Sequence, residues 1–313
     1  MVPYAVGSRQ SAVGSRQIAD WGLGTGDWGL RIVFVYFEID YPRGKLCLGG
    51  KTHIMGVLNI TPDSFYDGNK HFVPEEAIDH AHKMIEEGAD IIDVGGESTR
   101  PGASPISEEE ELKRVIPLIK ILSKEINKPI SIDTYKAVVA KRAIEEGASM
   151  VNDIGGLIDD ENMSKVIAGA RVPVVIMHKK GSPLTMQKNP ICKDLFPEIM
   201  SCLKRSISTA MEAGIEKSKI ILDPGIGFGK TMQQNLEILK KLYEFKGMGY
   251  PLLIGTSRKN FIGALLNVSA QERLYGTLAT LAVSIMNGAN IIRVHDVKAA
   301  VHVATICDAI RNA

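Results

Sequence analysis

The sequence lacks features that mark several large classes of protein, and each absence argues against one of those classes. Among its 313 residues, 37 Lys and Arg face 36 Asp and Glu, so there is no bulk positive charge to attract nucleic acid. Aromatic residues make up 6% and charged residues 23%. Hydrophobic residues nevertheless reach 45%, which is typical of a folded globular chain rather than a disordered one.

Cysteine is scarce as well. The four cysteines show neither a C-x-x-C pair nor the spacing of zinc ligands, so we predict neither a disulfide scaffold nor a zinc site. The first residues lack a basic segment followed by an apolar one, which is the pattern of a signal peptide. Together these absences favour a reducing compartment, the cytoplasm.

The sequence also lacks a run that is apolar enough to predict a membrane span. The longest uncharged run covers residues 274–292 and is interrupted by polar residues, among them Thr277, Ser284 and Asn287. We interpret it as a buried helix that ends at Gly288 and is followed by a strand. We therefore expect no membrane partner and no nucleic-acid partner.

Residues 1–30 differ in character from the rest of the chain. The pentapeptide VGSRQ occurs at Val6–Gln10 and again at Val13–Gln17, and DWGL occurs at Asp20–Leu23 and again at Asp27–Leu30. The segment is rich in glycine and has no apolar seam for a coiled coil. We interpret it as a flexible extension or an artefact that carries no chemistry.

A single domain is predicted over residues 31–313, and it begins with a β-hairpin over residues 31–50. The β-branched and aromatic run Ile32–Phe37 predicts the first strand of this hairpin. Pro42-Arg43-Gly44 predicts the turn, and Lys45–Leu48 predicts the return strand.

Residues 52–313 alternate between short apolar runs and helical patterns. The eight strand-like runs are His53–Asn59, Asp90–Gly95, Pro129–Asp133, Ser149–Asp153, Pro173–His178, Lys219–Asp223, Pro251–Ser257 and Asn290–Asp296. Apolar strands that alternate with helices predict a parallel sheet covered by those helices. The count of eight favours a closed (β/α)8 TIM barrel, an α/β fold, over an open sheet.

Each predicted strand is apolar until its carboxyl end, where a polar residue follows. These strand-end residues are Asn59, Asp93, Asp133, Asn152, His178, Asp223, Ser257 with Lys259, Arg293 and His295. A barrel brings all eight strand ends to one rim, where the active sites of this fold lie. One Asp or Asn at such a position is more often a helix cap. The whole set suits a ligand with a hydrogen-bonding ring and an anionic tail.

Eight motifs along the barrel carry a resemblance to a known family. In chain order they are LNITPDSF, GGESTRPG, SIDT, VND, MH, DPGIGFGK, GTSRK and RVHD. They resemble the dihydropteroate synthases of folate biosynthesis, and the resemblance covers Phe37 to the C-terminus. It implies a pterin-binding (β/α)8 barrel that is usually a cytoplasmic homodimer. It also implies a transferase, the target of sulfonamides, that uses Mg²⁺ to condense 6-hydroxymethyl-7,8-dihydropterin diphosphate with 4-aminobenzoate. The products implied are 7,8-dihydropteroate and diphosphate.

The resemblance also implies which residues bind the pterin. That set is Asp133, Asn152, Ile154, Met177, Asp223, Phe228, Lys259 and Arg293. Asp223 and Asn152 would pair with the donor–acceptor edge of the ring, and Arg293 would stack its guanidinium on the ring face. The catalytic residues implied are Lys259, Arg293, His295 and Asp133.

Three further subsites follow from the same resemblance. The diphosphate site comprises Asn59, Arg293 and His295, and the implied Mg²⁺ contacts are Asn59 and Asp67. The aminobenzoate site comprises Phe65, Thr99, Arg100, Pro101, Phe228, Lys259 and Asn260. We expect Arg100, Lys259, Arg293 and His295 to converge on two anionic substrates. Asn260 departs from the family, which frequently has Ser there, although Asn can still donate a hydrogen bond.

Two other functions remain as alternatives for a pterin-binding barrel. A methyltetrahydrofolate-dependent corrinoid methyltransferase would use Asp133, Asn152 and Asp223 similarly. It has no need of Thr99-Arg100 or of Lys259, and both are present. A non-catalytic pterin-binding protein would have lost catalytic residues, and none of those implied is missing.

Overall fold

The computed structural model describes residues 36–61, 75–100, 102–181, 185–186 and 194–313. The predicted extension over residues 1–30 lies outside these ranges, and so do Phe65, Asp67 and Pro101 of the predicted site.

The described part of the chain contains ten strands and nine α-helices. The strands are β1 (Phe37–Tyr41), β2 (Gly44–Leu48), β3 (His53–Asn59), β4 (Ile91–Gly95), β5 (Ile130–Asp133), β6 (Met150–Asp153), β7 (Val174–Met177), β8 (Ile220–Asp223), β9 (Leu253–Ile254) and β10 (Ile291–Val294). The helices are α1 (Glu75–Glu86), α2 (Glu108–Glu125), α3 (Ala137–Glu145), α4 (Met163–Ala170), α5 (Leu195–Glu212), α6 (Met232–Lys240), α7 (Asn260–Leu266), α8 (Leu274–Met286) and α9 (Val297–Asn312).

Strands β3 to β10 form a parallel barrel, which confirms the predicted (β/α)8 fold. Their order is β8-β7-β6-β5-β4-β3-β10-β9. A parallel bridge between Leu222 of β8 and Leu252 beside β9 closes the sheet. The backbone N–H of Leu222 donates to the carbonyl oxygen of Pro251 at 2.9 Å. Each of the eight predicted runs contains one barrel strand.

The register of the barrel places predicted site residues side by side. Asn59 pairs with Gly95, Gly95 pairs with Asp133, and Asp133 pairs with Asn152. Paired residues of parallel strands project to the same face of the sheet. The polar residues at the ends of β3, β5 and β6 therefore form one row along the carboxyl-terminal rim.

The hairpin of β1 and β2 plugs the opposite, amino-terminal end of the barrel. Ile39, Leu46 and Leu48 of the hairpin are buried in one apolar cluster. The other buried members of that cluster lie at or near the starts of barrel strands and are Met55, Ile91, Met150, Val175, Ile221, Leu253 and Ile291. A second and larger apolar core lies between the strands and the surrounding helices.

The turn and the return strand of this hairpin lie where the sequence predicts them. The first strand is described over Phe37–Tyr41, and residues 32–35 of the predicted run lie outside the described residues. Pairing of Phe37 with Leu48 and of Tyr41 with Gly44 sets a turn over two residues, Pro42 and Arg43. Ile39 and Leu46 pair across the two strands and are both buried in the barrel, which fixes the register of the hairpin.

The uncharged run over residues 274–292 forms the predicted helix and strand. Helix α8 ends at Met286, two residues before Gly288, and β10 begins at Ile291. Among the described residues, no helix combines the length and the apolar character needed to cross a membrane.

Candidate active site

A buried ionic cluster lies at the carboxyl-terminal rim, with Arg293 at its centre. Arg293 Nε donates to Asp93 Oδ2 at 2.6 Å, and Arg293 Nη2 donates to Asp133 Oδ2 at 2.5 Å. Asn152 Nδ2 donates to the same Asp93 oxygen at 3.0 Å. Residues from β4, β5, β6 and β10 therefore meet at one point, which the barrel closure makes possible. Asp133, Asn152 and Arg293 come together as the sequence predicted.

Asp93 is the member of this cluster to which sequence reasoning assigned no role. It was visible only as one of several polar residues at strand ends. In the structure its side chain is completely buried and bonds both Arg293 and Asn152. Because the pairing partners lie 59 and 200 residues away in the chain, no local pattern could have revealed them.

The cluster offers hydrogen-bond acceptors to a ligand. Asp93 Oδ1 and Asp133 Oδ1 are buried and accept no hydrogen bond from the described part of the chain. Burial raises the pKa of Asp133 to about 7; Asp93 adds to the rise and Arg293 opposes it. Burial alone would lower the pKa of Arg293, but Asp93 and Asp133 raise it overall, so the guanidinium stays charged. Buried acceptors without a donor are costly, and a ligand rich in N–H groups would relieve that cost.

Lys259 follows β9, the neighbour of β10, and approaches an aromatic ring. Its Nζ atom is 4.3 Å from the centroid of the Phe228 ring. Burial lowers the pKa of Lys259 to about 8, with a further contribution from Arg293, whereas Asp223 and Asp133 oppose the shift. The aliphatic stem passes so close to Gly227 that a Cβ there would lie 3.3 Å from Lys259 Cδ.

Asp223 is the last residue of β8. The loop that follows carries Phe228 and is held by a buried lysine. Lys230 Nζ donates to the carbonyl oxygens of Gly225 and Phe228 at 2.8 and 3.1 Å, and lies 3.0 Å from His178 Nδ1. Burial lowers the pKa of Lys230 to about 7 and that of His178 to about 3, so the imidazole is the neutral acceptor. Sequence reasoning identified the DPGIGFGK motif but gave its lysine no role.

The turn of this loop needs glycine and orients Asp223. The φ angle of Gly225 is +72°, and a Cβ there would lie 1.8 Å from the carbonyl oxygen of His178. The Gly225 backbone N–H donates to Asp223 Oδ1 at 2.7 Å. Burial raises the pKa of Asp223, and the Gly225 hydrogen bond opposes the rise.

His295 is a neutral donor rather than a positive charge. Its Nδ1 lies 2.9 Å from Ser257 Oγ, which also accepts the His295 backbone N–H at 3.2 Å. Burial lowers the pKa of His295 to about 4, and Arg293 contributes further. Of the four residues expected to converge on the anionic substrates, His295 therefore carries no positive charge. With Nδ1 facing the Ser257 hydroxyl, the Nε2 position is left to donate to a ligand.

The predicted apolar walls lie together. Ile154, Met177 and Phe228 form a small buried cluster with Met186, against which Tyr135 packs. This cluster is separate from the two cores that hold the barrel together. It supplies flat apolar surface beside the polar row, which suits an aromatic ligand.

The remaining predicted residues lie at the edge of the site. Thr99 is half-buried and Arg100 is exposed on the loop after β4, and Asn59 is half-buried at the end of β3. Asn260 is exposed at the start of α7, where its Oδ1 accepts a hydrogen bond from Arg273 Nη1 at 2.9 Å. No hydrogen bond or ion pair within the described ranges joins Thr99 or Arg100 to the Arg293 cluster.

Known proteins share this architecture and sequence. The family model for pterin binding enzymes matches residues 55–295, so the chain belongs to the pterin binding enzymes. Dihydropteroate synthase of Bacillus subtilis is 50% identical over 262 residues, which cover 84% of this chain and 90% of that protein. Within the pterin binding enzymes, the chain is thus a member of the dihydropteroate synthase family, the transferases of folate biosynthesis.

Two solved structures extend this similarity. Dihydropteroate synthase of Yersinia pestis in a sulfonamide drug complex is 42% identical, with a TM-score of 0.83, over 88% of this chain and 100% of that one. The enzyme of Xanthomonas albilineans with 4-aminobenzoic acid is 39% identical, with a TM-score of 0.82, over 89% of this chain and 99% of that one.

Proposed function

We propose that the chain condenses 6-hydroxymethyl-7,8-dihydropterin diphosphate with 4-aminobenzoate to give 7,8-dihydropteroate and diphosphate. The C–O bond between the methylene carbon and the diphosphate breaks, a C–N bond to the amine forms, and the amine releases a proton. The observation that carries the proposal is the set of buried acceptors around Arg293, where Asp93 Oδ1 and Asp133 Oδ1 have no donor among the described residues. The Xanthomonas albilineans enzyme with 4-aminobenzoic acid supports the choice of nucleophile.

The pterin ring is assigned to the buried polar row and its apolar walls. Asp223 and Asn152 accept and donate along the ring edge, and Asp133 contacts the ring as well. Lys259 bonds the other edge. Ile154 and Met177 line the ring with Phe228, as their common cluster suggests.

The diphosphate leaving group is assigned to Arg293, His295 and Asn59. Its departure develops negative charge, and preorganised donors stabilise that charge without reorganisation. Arg293 uses Nε and Nη2 on two carboxylates, which fixes the guanidinium, and Nη1 is assigned to the diphosphate. His295 adds one N–H, held in place by Ser257.

The aminobenzoate is assigned to the part of the rim formed by the loops after β4, β8 and β9. Its amine is already a nucleophile and needs no activating base. Its ring would lie against Phe228 and Lys259, with Thr99, Arg100 and Asn260 around the carboxylate; Phe65 and Pro101 complete the predicted set. We expect sulfonamides to compete at this subsite, which agrees with the drug complex of the Yersinia pestis enzyme.

Mg²⁺ is part of the proposal. Within the described ranges, no group of three or more His, Cys, Asp or Glu side chains could hold a metal ion. Mg²⁺ can take one or two protein oxygens and fill its other positions with phosphate oxygens and water. The Asn59 amide oxygen suits that role and Asp67 is the predicted second contact. The ion would neutralise charge on the diphosphate.

We further propose a cytoplasmic homodimer. Helix α8 packs against both α7 and α9, and the exposed faces of these three helices carry large apolar side chains. Those at least 45% exposed are Leu265, Leu266, Tyr275, Val283, Met286, Ile306 and Ile310. Tyr275 is 82% exposed, which is unusual for a residue without a partner. A second copy of the chain would cover this surface, and sedimentation equilibrium would report its mass.

A diphosphate-release assay tests the proposed reaction. Purified protein, the dihydropterin diphosphate and Mg²⁺ are mixed with and without 4-aminobenzoate, and we expect release only with it. Lys259→Ala should nearly abolish turnover because one residue is assigned to both substrates. Pterin binding without aminobenzoate-dependent release would instead favour a non-catalytic binding protein. Methyl transfer from methyltetrahydrofolate to a corrinoid would favour the methyltransferase alternative.

A further inference from the structure

Beneath the loop that carries Thr99 and Arg100 lies a buried lysine that the proposed mechanism does not use. Lys136 precedes α3 and is 8% exposed. Its Nζ atom donates to Glu97 Oε2 at 2.6 Å, to the carbonyl oxygen of Ile106 at 2.8 Å and to Glu111 Oε2 at 2.6 Å. These three bonds use all three donors of the ammonium group.

Two of the three acceptors are the ends of one loop. Residues 96–106 connect β4 to the N-cap of α2, and we refer to them as the second loop. Glu97 lies at its start and Ile106 at its end, so a single ammonium group joins both ends. The Ile106 backbone N–H also donates to Glu97 Oε2, at 3.3 Å. Thr99 and Arg100 lie between the two joined points.

Other contacts around Glu97 and at the loop start hold the same point. The Tyr135 hydroxyl donates to Glu97 Oε1 at 3.0 Å, so both carboxylate oxygens are engaged. Arg114 Nη1 of α2 donates to the carbonyl oxygen of Gly96 at 2.9 Å. The ring of Tyr135 packs on the apolar walls of the pterin site, which connects the second loop to the site.

The arrangement is poorly explained by stability alone. One ammonium group faces two buried carboxylates, and burial raises the pKa of Glu111. Burial alone would lower the pKa of Lys136, and the hydrogen bonds to Glu111 and Glu97 raise it overall, so the lysine remains charged. A buried ion cluster of this kind is often no more stable than apolar residues of the same volume. Apolar residues could not reproduce the hydrogen bonds by which Lys136 joins the two ends of the loop.

We propose that Lys136 is a positioning residue for the 4-aminobenzoate subsite, which it preorganises by holding together the two ends of the second loop. The inference rests on the proposed function, because Thr99 and Arg100 are assigned to aminobenzoate there. Loss of the lysine should weaken the use of aminobenzoate and leave use of the pterin diphosphate unchanged, since none of the residues assigned to the pterin lies on the second loop.

The test is a double variant that removes the loop contacts and keeps the charge of the cluster. Lys136→Met with Glu111→Gln removes one positive and one negative charge, so Glu97 remains the only ion. The matched control is Glu111→Gln alone, in which Lys136 keeps both of its second-loop contacts. Lys179→Met is a further control: Lys179 lies over the same Tyr135 ring, 5.3 Å from its centroid, and does not hydrogen-bond the second loop.

We expect the double variant to raise the KM for 4-aminobenzoate about 10-fold or more, with the KM for the pterin diphosphate within about 2-fold. Both controls should stay within about 2-fold for both substrates. Hydrogen–deuterium exchange of residues 96–107 should increase in the double variant alone. If both KM values rise together, or neither moves in a folded protein, Lys136 does not position this subsite.

Tyr135→Phe keeps the test valid if the double variant fails to fold. It removes only the hydroxyl that donates to Glu97, and it should raise the aminobenzoate KM by about 2- to 5-fold without changing the pterin KM. An unchanged aminobenzoate KM would count against the inference. The wild-type protein separates the two claims. Absence of aminobenzoate-dependent diphosphate release in the wild type would overturn the proposed function itself, whereas normal wild-type turnover with unaltered variants would overturn only the role of Lys136.

Discussion

The two ends of the barrel differ in the polarity of their buried side chains. At the amino-terminal end, Ile39 and Leu48 of the hairpin fill the interior with apolar side chains. At the carboxyl-terminal end, Asp93, Asp133 and Arg293 are buried together, and two carboxylate oxygens accept no hydrogen bond within the described ranges. The amino-terminal end stabilises the fold, and the carboxyl-terminal end offers polar groups that can bind a ligand, as expected of this architecture.

Arg293→Ala breaks the polar end and should have the largest effect. It removes the assigned diphosphate donor and leaves Asp93 and Asp133 without a cation, so we expect kcat/KM to fall by about 10³-fold or more. Steady-state kinetics on protein shown to be folded by circular dichroism measures this. Arg142→Ala is the matched control, because Arg142 forms exposed ion pairs on α3 and should change neither activity nor stability appreciably. A loss of less than about 10-fold at Arg293 would contradict the assignment.

Ile39→Ala breaks the apolar end. Ile39 is fully buried in the plug, so we expect the free energy of unfolding to fall by about 2–4 kcal/mol, since the substitution leaves a cavity. Chemical denaturation measures the loss. The kcat of the folded fraction should remain within about 2-fold, because the plug does not touch the rim. Val138→Ala is the control at a position that is 46% exposed, where the cost should be small. A large fall in kcat with unchanged stability would show that the two ends are not separable.

The pH dependence of activity tests the charge of Lys259 at the polar end of the barrel. Burial lowers the pKa of this lysine to about 8, so it is charged below pH 8 and loses its charge as the pH rises through that value. We expect kcat/KM to fall by up to about 10-fold per pH unit above pH 8. In Lys259→Arg the guanidinium stays charged, so this alkaline limb should move beyond the measurable range even if overall activity is lower. A limb that stays in place in the variant would assign it to another group.

The lowered pKa of Lys259 affects stability in the opposite direction from activity. The folded protein binds fewer protons at Lys259 than the unfolded chain between pH 8 and the ordinary lysine pKa of 10.5. This residue therefore makes the folded state more stable as the pH rises through that window, and contributes no further change above it.

Deleting residues 1–30 should have the smallest effect. The segment carries no motif of the family, and both ends of the barrel are complete without it. We expect turnover and the free energy of unfolding to match those of the full chain within about 2-fold and about 0.5 kcal/mol. A large loss of turnover in the diphosphate-release assay would show that the segment contributes to the site.

Much of the fold was predictable because its signals are local. Eight apolar runs, each followed by a helical pattern, predict a barrel, and each run does contain a strand. The turn of the hairpin lies where the sequence predicts it, whereas residues 32–35 of the predicted first strand lie outside the described residues. What selects Phe37–Tyr41 is contact with the barrel interior, and that contact is made with residues far along the chain.

The site was predictable only in part, for the same reason. Asp133, Asn152 and Arg293 were assigned together through motifs, and they do meet. Asp93, Lys136 and Lys230 were not assigned, because their partners are 25 or more residues distant or are backbone carbonyl oxygens.

The sequence by itself determined the barrel, the family and the residue types at the rim, because periodicity and motifs are properties of short segments. Only the tertiary structure decided which of these groups face one another. Closure of the barrel joins Arg293 to Asp93 and Asp133, and the placement of Lys136 joins both ends of the second loop. Burial then sets the charges, leaving His295 neutral and lowering the pKa of Lys259 to about 8, because desolvation depends on everything packed around a group and not on its neighbours in sequence.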